Sequence, residues 1–210
     1  MEPNWAAENL QVIRTLMERS SLYRRALAPV MIFAGLVGTV ASALGWFLDV
    51  STAQNFTRFW VAAGLIAVAG AFLLMRRQAL KDREPVWSSP TRRVAQAAAP
   101  AFFVGFVASI PVLLFGIEHA TVVWWLLPIW FALYGCALCS AGFFMPRGIK
   151  IFGWFFVCAG CALFIAQAVL ASTVRPLSDA HLLMGMAFGV IHLLYGGYLY
   201  VTEQQRKNAA

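Results

Sequence analysis

Six stretches of the chain are long and apolar enough to cross a lipid bilayer, and this constrains the fold more than any other feature. They run at about 27–48, 57–75, 100–118, 122–145, 151–172 and 181–201. Crossing hydrocarbon takes about 20 mostly apolar residues in a helix. Backbone N–H and C=O groups find no water there, so a spanning segment must be a helix or a strand of a closed barrel. Barrel strands alternate in polarity and need only about 10 residues. These stretches are continuous and longer, which predicts an all-α, polytopic membrane bundle of six transmembrane helices.

Composition agrees. Of 210 residues, 61% are apolar and 12% charged, against about 25% charged in soluble domains. The net charge of +7 is not spread as on a nucleic-acid-binding face, and no nucleic-acid partner is expected. The basic residues sit between the apolar runs. Fourteen of the sixteen fall on one side: Arg14, Arg19, Arg24 and Arg25; Arg76, Arg77, Lys81, Arg83, Arg92 and Arg93; Arg147 and Lys150; Arg206 and Lys207. Only Arg58 and Arg175 fall on the other. The Lys/Arg bias places the first set in the cytoplasm, against anionic headgroups, with both chain ends inside. Trp46, Trp60, Trp124 and Trp125 then mark the outer boundary, and Phe143, Phe144, Phe152 and Trp154 the inner one.

The expected organisation is a cytoplasmic N-terminal helix at 1–26, a transmembrane domain at 27–201 with a basic loop at 76–99, and a tail at 202–210. In the first part Val12, Ile13, Leu16, Met17 and Ser20 share one helical face. Such a face suits a membrane surface or a soluble partner. No short apolar core with a small-residue cleavage site opens the chain, so a removable signal peptide is not expected. The run Ile13-Arg14-Thr15-Leu16-Met17-Glu18-Arg19-Ser20-Ser21-Leu22-Tyr23, ahead of a Gly-rich first span, resembles the opening of an uncharacterised group of bacterial multi-span inner-membrane proteins. The resemblance implies a bacterial cytoplasmic membrane and attaches no activity.

Spans one and four share a spacing of small residues: Gly35, Gly38, Ser42 and Gly45 match Ala132, Gly135, Cys139 and Gly142. Spans three and six share Gly105 and Leu113-Leu114-Phe115-Gly116 with Gly185 and Leu193-Leu194-Tyr195-Gly196. This points to a 3+3 inverted repeat, a transporter-like arrangement. The alternative is that small residues recur in all close-packed membrane helices.

Few residues bear chemistry. Cys136 and Cys139 on span four, with Cys158 and Cys161 on span five, are symmetric about the turn at Pro146–Lys150. That symmetry sets Cys136 level with Cys161 and Cys139 level with Cys158. Four thiols brought together make a zinc or iron–sulfur ligand set or a thiol switch. Otherwise they are small apolar packing residues. His192 lies mid-span on the same face as Gly185, Gly189 and Gly196, and a buried polar group needs a partner. Tyr134, Ser109 and Thr39 lie at the right depth, so a ligand-binding group of His192, Tyr134, Ser109 and Thr39 is one reading and a helix-to-helix hydrogen bond the other. Glu118, His119, Asp179 and His181 fall at outer span ends, as a weak metal site or as solvated loop ends. Pro111 and Pro128 lie inside spans and favour kinks.

No catalytic residue, P-loop or metalloprotease motif is present, no cofactor is expected, and span interiors lack Asp, Glu, Lys and Arg. The leading expectation is a non-catalytic interaction or regulatory membrane protein with a protein partner or a homo-oligomeric state. The alternatives are a small uncoupled transporter or ligand-binding bundle, and a membrane thiol or metal protein.

Overall fold

A computed structural model describes residues 26–83, 85, 87–117, 119–169 and 175–208, without the side chains of 89, 90, 206 and 207. The amphipathic N-terminal segment and Glu118 lie outside the described residues. Six helices follow one another: α1 (Ala26–Phe47), α2 (Ala53–Lys81), α3 (Ser89–Phe115), α4 (Ala120–Ala141), α5 (Arg147–Val169) and α6. α6 is continuous but uneven, with an α segment Leu177–Met184, a π turn Gly185–Val190 and a second α segment Ile191–Asn208. Each of the six is long and apolar enough to span a membrane. Among the described residues there is no strand.

α2 and α3 continue well into the stretch read from sequence as a basic loop. Arg76-Arg77-Gln78-Ala79-Leu80-Lys81 and Thr91–Ala99 are rich in strong helix formers, so the helices extend into the polar zone. Only Asp82–Ser88 connects them. Helix ends follow local chemistry. Thr52 caps α2, its hydroxyl accepting from the Asn55 N–H at 3.2 Å. Gly116 closes α3 at φ 61°, a left-handed conformation that glycine adopts freely. Asp49 ends α1 at φ 47°, and the Val50 N–H turns back onto the Gly45 carbonyl at 3.0 Å.

Two antiparallel helix pairs make the closest backbone contacts. In α4–α5, a Cβ on Gly160 would lie 2.6 Å from the Ala132 amide, and one on Gly153 2.8 Å from the Cys139 amide. In α1–α6, a Cβ on Gly189 would meet the Thr39 amide at 2.8 Å, and one on Gly196 the Ile32 amide at 2.8 Å. The backbones touch because no side chain intervenes, the membrane-helix solution where lipid provides no hydrophobic drive between helices. α4 is central, packing on α5 and α3 and touching α2 and α6. The fraction of the apolar window that is buried falls from 44% in α4 to 17% in α2 and 11% in α3. α2 and α3 therefore form the rim.

The element pairs α1–α6 and α3–α4 are what a three-span repeat requires, but the faces differ. α1 turns its Gly35–Gly38–Ser42 stripe to α6, whereas α4 turns the matching Gly135 to α5, against the Gly153 carbonyl. The shared spacing is thus used against non-equivalent partners.

The aromatic belts need correction. Trp46, Phe143 and Trp154 are exposed, whereas Trp60, Trp124 and Phe152 are buried and belong to the protein core. Pro100, Pro111 and Pro128 all lie inside continuous helices.

Candidate functional site

The core contains two buried histidines, each about 1% exposed. His192 was anticipated; His181 was not. Both stand on α6.

Around His192, Tyr134 from α4 is the partner. Its hydroxyl lies 2.6 Å from His192 Nε2, and His192 Nδ1 lies 3.0 Å from the Ala187 carbonyl oxygen. A carbonyl only accepts, so Nδ1 carries the proton. The neutral ring then offers a lone pair at Nε2, to which Tyr134 donates its O–H. The ring faces are filled as well. Phe152, Phe156 and Phe188 stand at 5.0, 5.5 and 5.8 Å between centroids. Both nitrogens are bonded and the surrounding space is taken by side chains. The histidine joins α6 to α4 and lies against α5.

The other two expected members are elsewhere. Ser109 donates to the Gly105 carbonyl at 3.0 Å and receives the Trp130 indole N–H at 3.2 Å, linking α3 to α4. Thr39 donates to the Gly35 carbonyl at 2.9 Å within α1 and packs on Gly189. Of the four, the fold brings together only His192 and Tyr134.

His181 is a correction to the picture of solvated loop ends. Its Nε2 lies 3.1 Å from the Val50 carbonyl, and Trp60 donates its indole N–H to Nδ1 at 3.1 Å. An indole only donates and a carbonyl only accepts, so this ring too is neutral, with its proton on Nε2. Phe56 stands 4.6 Å away. Gly45 leaves the hole that the ring fills, since a Cβ there would overlap the imidazole. Ser42 completes the clamp, donating to the His181 carbonyl at 2.8 Å. The turn at Asp49 presents the Val50 carbonyl inward, so one side chain fastens the α1–α2 loop, α2 and α6 together. The sequence signal was Gly45 with Trp60: a missing side chain beside a span end, and a donor in need of an acceptor. His119 and Asp179 are exposed and do not join it.

The cysteines do not converge. Gly153, not Cys158, lies opposite Cys139, because α4 stops at Ala141 and an irregular turn precedes Arg147. Cys136, Cys158 and Cys161 are exposed, and Cys139 directs its thiol to the Lys150 carbonyl at 3.7 Å. Among the described residues no three His, Cys, Asp or Glu side chains are placed to hold a metal ion. Replacing Cys136, Cys158 and Cys161 together by Ala is expected to change stability by no more than about 0.5 kcal/mol for each substitution, as at other surface positions. Thermal unfolding in detergent checks this. A large loss, or unfolding of the native chain that depends on added zinc, would restore the sulfur site.

Two further polar residues, Gln167 and Arg175, have no site role in the sequence reading. Gln167 is buried on the stripe of α5 that carries Gly153 and Gly160 toward α4. Arg175 lays its guanidinium over the Trp124 ring at 3.8 Å and accepts the Trp124 indole N–H on its backbone carbonyl at 3.3 Å. Among the described residues, Gln167 Oε1 and Arg175 Nε are buried without hydrogen-bond partners.

This architecture, six apolar helices around two hydrogen-bonded histidines, defines an integral membrane protein of the multi-pass helical class. Compared with known proteins, the chain matches no family model, no curated protein and no solved structure.

Proposed function

We propose that the protein is a non-catalytic membrane protein of interaction or regulatory type. It works through helix packing, with its basic segments on the cytoplasmic face of a bacterial inner membrane and against anionic headgroups. The observation that carries this reading is the contrast between core and rim. The groups able to do chemistry in the core are occupied: His181 and His192 each bond through both nitrogens to other parts of the chain. The rim helix α3 has only 11% of its apolar window buried, and it turns Phe102, Phe103 and Phe106 outward. A span held mainly by one neighbour, α4, is suited to meeting another protein within the bilayer, where close packing rather than hydrophobicity drives association.

Photo-crosslinking in native membranes tests this. A photoreactive residue in place of Phe103 or Phe106 is expected to give a discrete protein adduct, either a second copy or another membrane protein. The same residue in place of Val112, which is buried, is expected to give only intramolecular links. Lipid adducts alone at both exposed positions would overturn the reading.

A further inference from the structure

α6 carries both histidine clamps, and its π turn lies between them. His181 precedes the turn and His192 follows it. Within the turn the Ile191 N–H bonds the Met186 carbonyl, five residues back. His192 Nδ1–H also reaches five residues back, to the Ala187 carbonyl. In ordinary α winding each N–H bonds four residues back, which makes the Ala187 carbonyl the acceptor of the Ile191 N–H. The His192 side chain thus shares the Ala187 carbonyl with the helix backbone, and the winding of the turn sets where the ring lies. Tyr134, by bonding Nε2, holds the ring in that place.

Rewinding the turn by one residue rotates one part of the helix against the other by about 100° and shifts it about 1.5 Å. If the part of α6 after the turn stays on α4, His181 leaves Trp60 and Val50, and Gly185 leaves Ser42. If the part before the turn stays on Trp60 and Ser42, His192 leaves Tyr134. The two clamps are satisfied together in the π register and are not both kept in the α register. Single π turns in otherwise α-helical segments recur at functional sites, and coupling between distant points requires an element with two discrete arrangements.

We propose that α6 is a register switch. The π turn Gly185–Val190 couples the His192–Tyr134 bond in mid-bundle to the His181–Trp60–Val50 clamp at the bundle end, so that loss of either loosens the other. This goes beyond the interaction reading and does not depend on it, because it concerns the chain alone.

The test is magnetic resonance on the full chain in lipid nanodiscs, with the tryptophan indoles and histidine rings labelled with nitrogen-15. Tyr134→Phe keeps the ring and removes only the hydroxyl. The histidines are eleven residues apart, roughly 16 Å along a helix, so the lost hydroxyl does not reach Trp60 through space. The expected result is that the Trp60 indole N–H, identified by its disappearance in Trp60→Phe, shifts or doubles in Tyr134→Phe while exposed Trp87 stays in place. Coupling is reciprocal, so Trp60→Phe is expected to move the His192 ring nitrogens. A Trp60 signal unmoved by Tyr134→Phe overturns the switch. Should Tyr134→Phe fail to fold, His192 nitrogens unmoved by Trp60→Phe overturn it equally. Either failure leaves the crosslinking result on α3 untouched.

Discussion

Replacing Gly38 by Ala is expected to cost the bundle about 1–3 kcal/mol, the usual penalty for overpacking, whereas Gly64→Ala is expected to be neutral or to gain up to about 1 kcal/mol from helix propensity. The two glycines are chemically identical and differ only in what faces them. A Cβ on Gly38 would run into the Phe188 carbonyl and approach the Gly189 amide to 2.7 Å. Those are backbone atoms of α6, which move only if the helices part. Parting α1 from α6 also loosens Gly35 on Leu193 and Gly189 on Thr39, so the loss spreads along the seam. A Cβ on Gly64 would meet nothing within 4 Å. Reversible unfolding of both variants in bicelles decides the matter. Equal effects at the two sites would mean that the α1–α6 seam is not the stabilising contact.

The second large effect is expected at His181. Changing it to Ala removes two hydrogen bonds and a ring from a site closed by Gly45, Phe56 and Trp60. Side-chain hydrogen bonds inside membrane proteins average only about 0.6 kcal/mol, so the bonds alone do not set the size of the loss. The void left by a buried ring adds about 2–5 kcal/mol on the scale of other large-to-small core changes. The Trp60 N–H and the Val50 carbonyl also lose their partner, at roughly 1–3 kcal/mol for each group that stays dry. The net expectation is a loss of about 3 kcal/mol or more. His119→Ala, at an exposed position on the same side of the bundle, is expected to change stability by less than about 0.5 kcal/mol. The same unfolding measurement compares them. A small loss at His181 would show that α2 is held to the core without this clamp.

Much of the fold was legible in the sequence because a bilayer leaves few options for the backbone. Six apolar runs became six helices, and the small residues of α1 do line a close helix contact. Depth along the spans was enough to name Tyr134 among the partners of His192. What was not legible depended on registers. The π turn has an unremarkable composition, Gly-Met-Ala-Phe-Gly-Val, and nothing in it announces five-residue spacing. The reading that set His192 on the same face as Gly185, Gly189 and Gly196 therefore missed a division: the glycines meet α1, while the imidazole reaches Tyr134 on α4 and Phe152 on α5. The cysteine symmetry failed for a similar reason. It assumed that both helices run up to a turn centred near Gly148, but α4 ends earlier and Cys139 comes to rest against Gly153. His181 was hidden by its position near a span end, where charge and polarity suggest water. The hole at Gly45 and the inward Val50 carbonyl that enclose it are set by a turn whose geometry the sequence does not print.

The seam between α1 and α6 joins the first described span to the last. During synthesis the first helix enters the bilayer with its glycine face bare, and roughly 130 residues of chain are made before the matching face exists. In that interval the lipid, or whatever machinery inserts the protein, must occupy the groove where Gly189 and Gly196 will later sit. The core, including both histidine clamps, comes into being only once α6 has arrived. Until α6 arrives, α1 keeps a backbone-deep furrow at Gly35, Gly38 and Ser42.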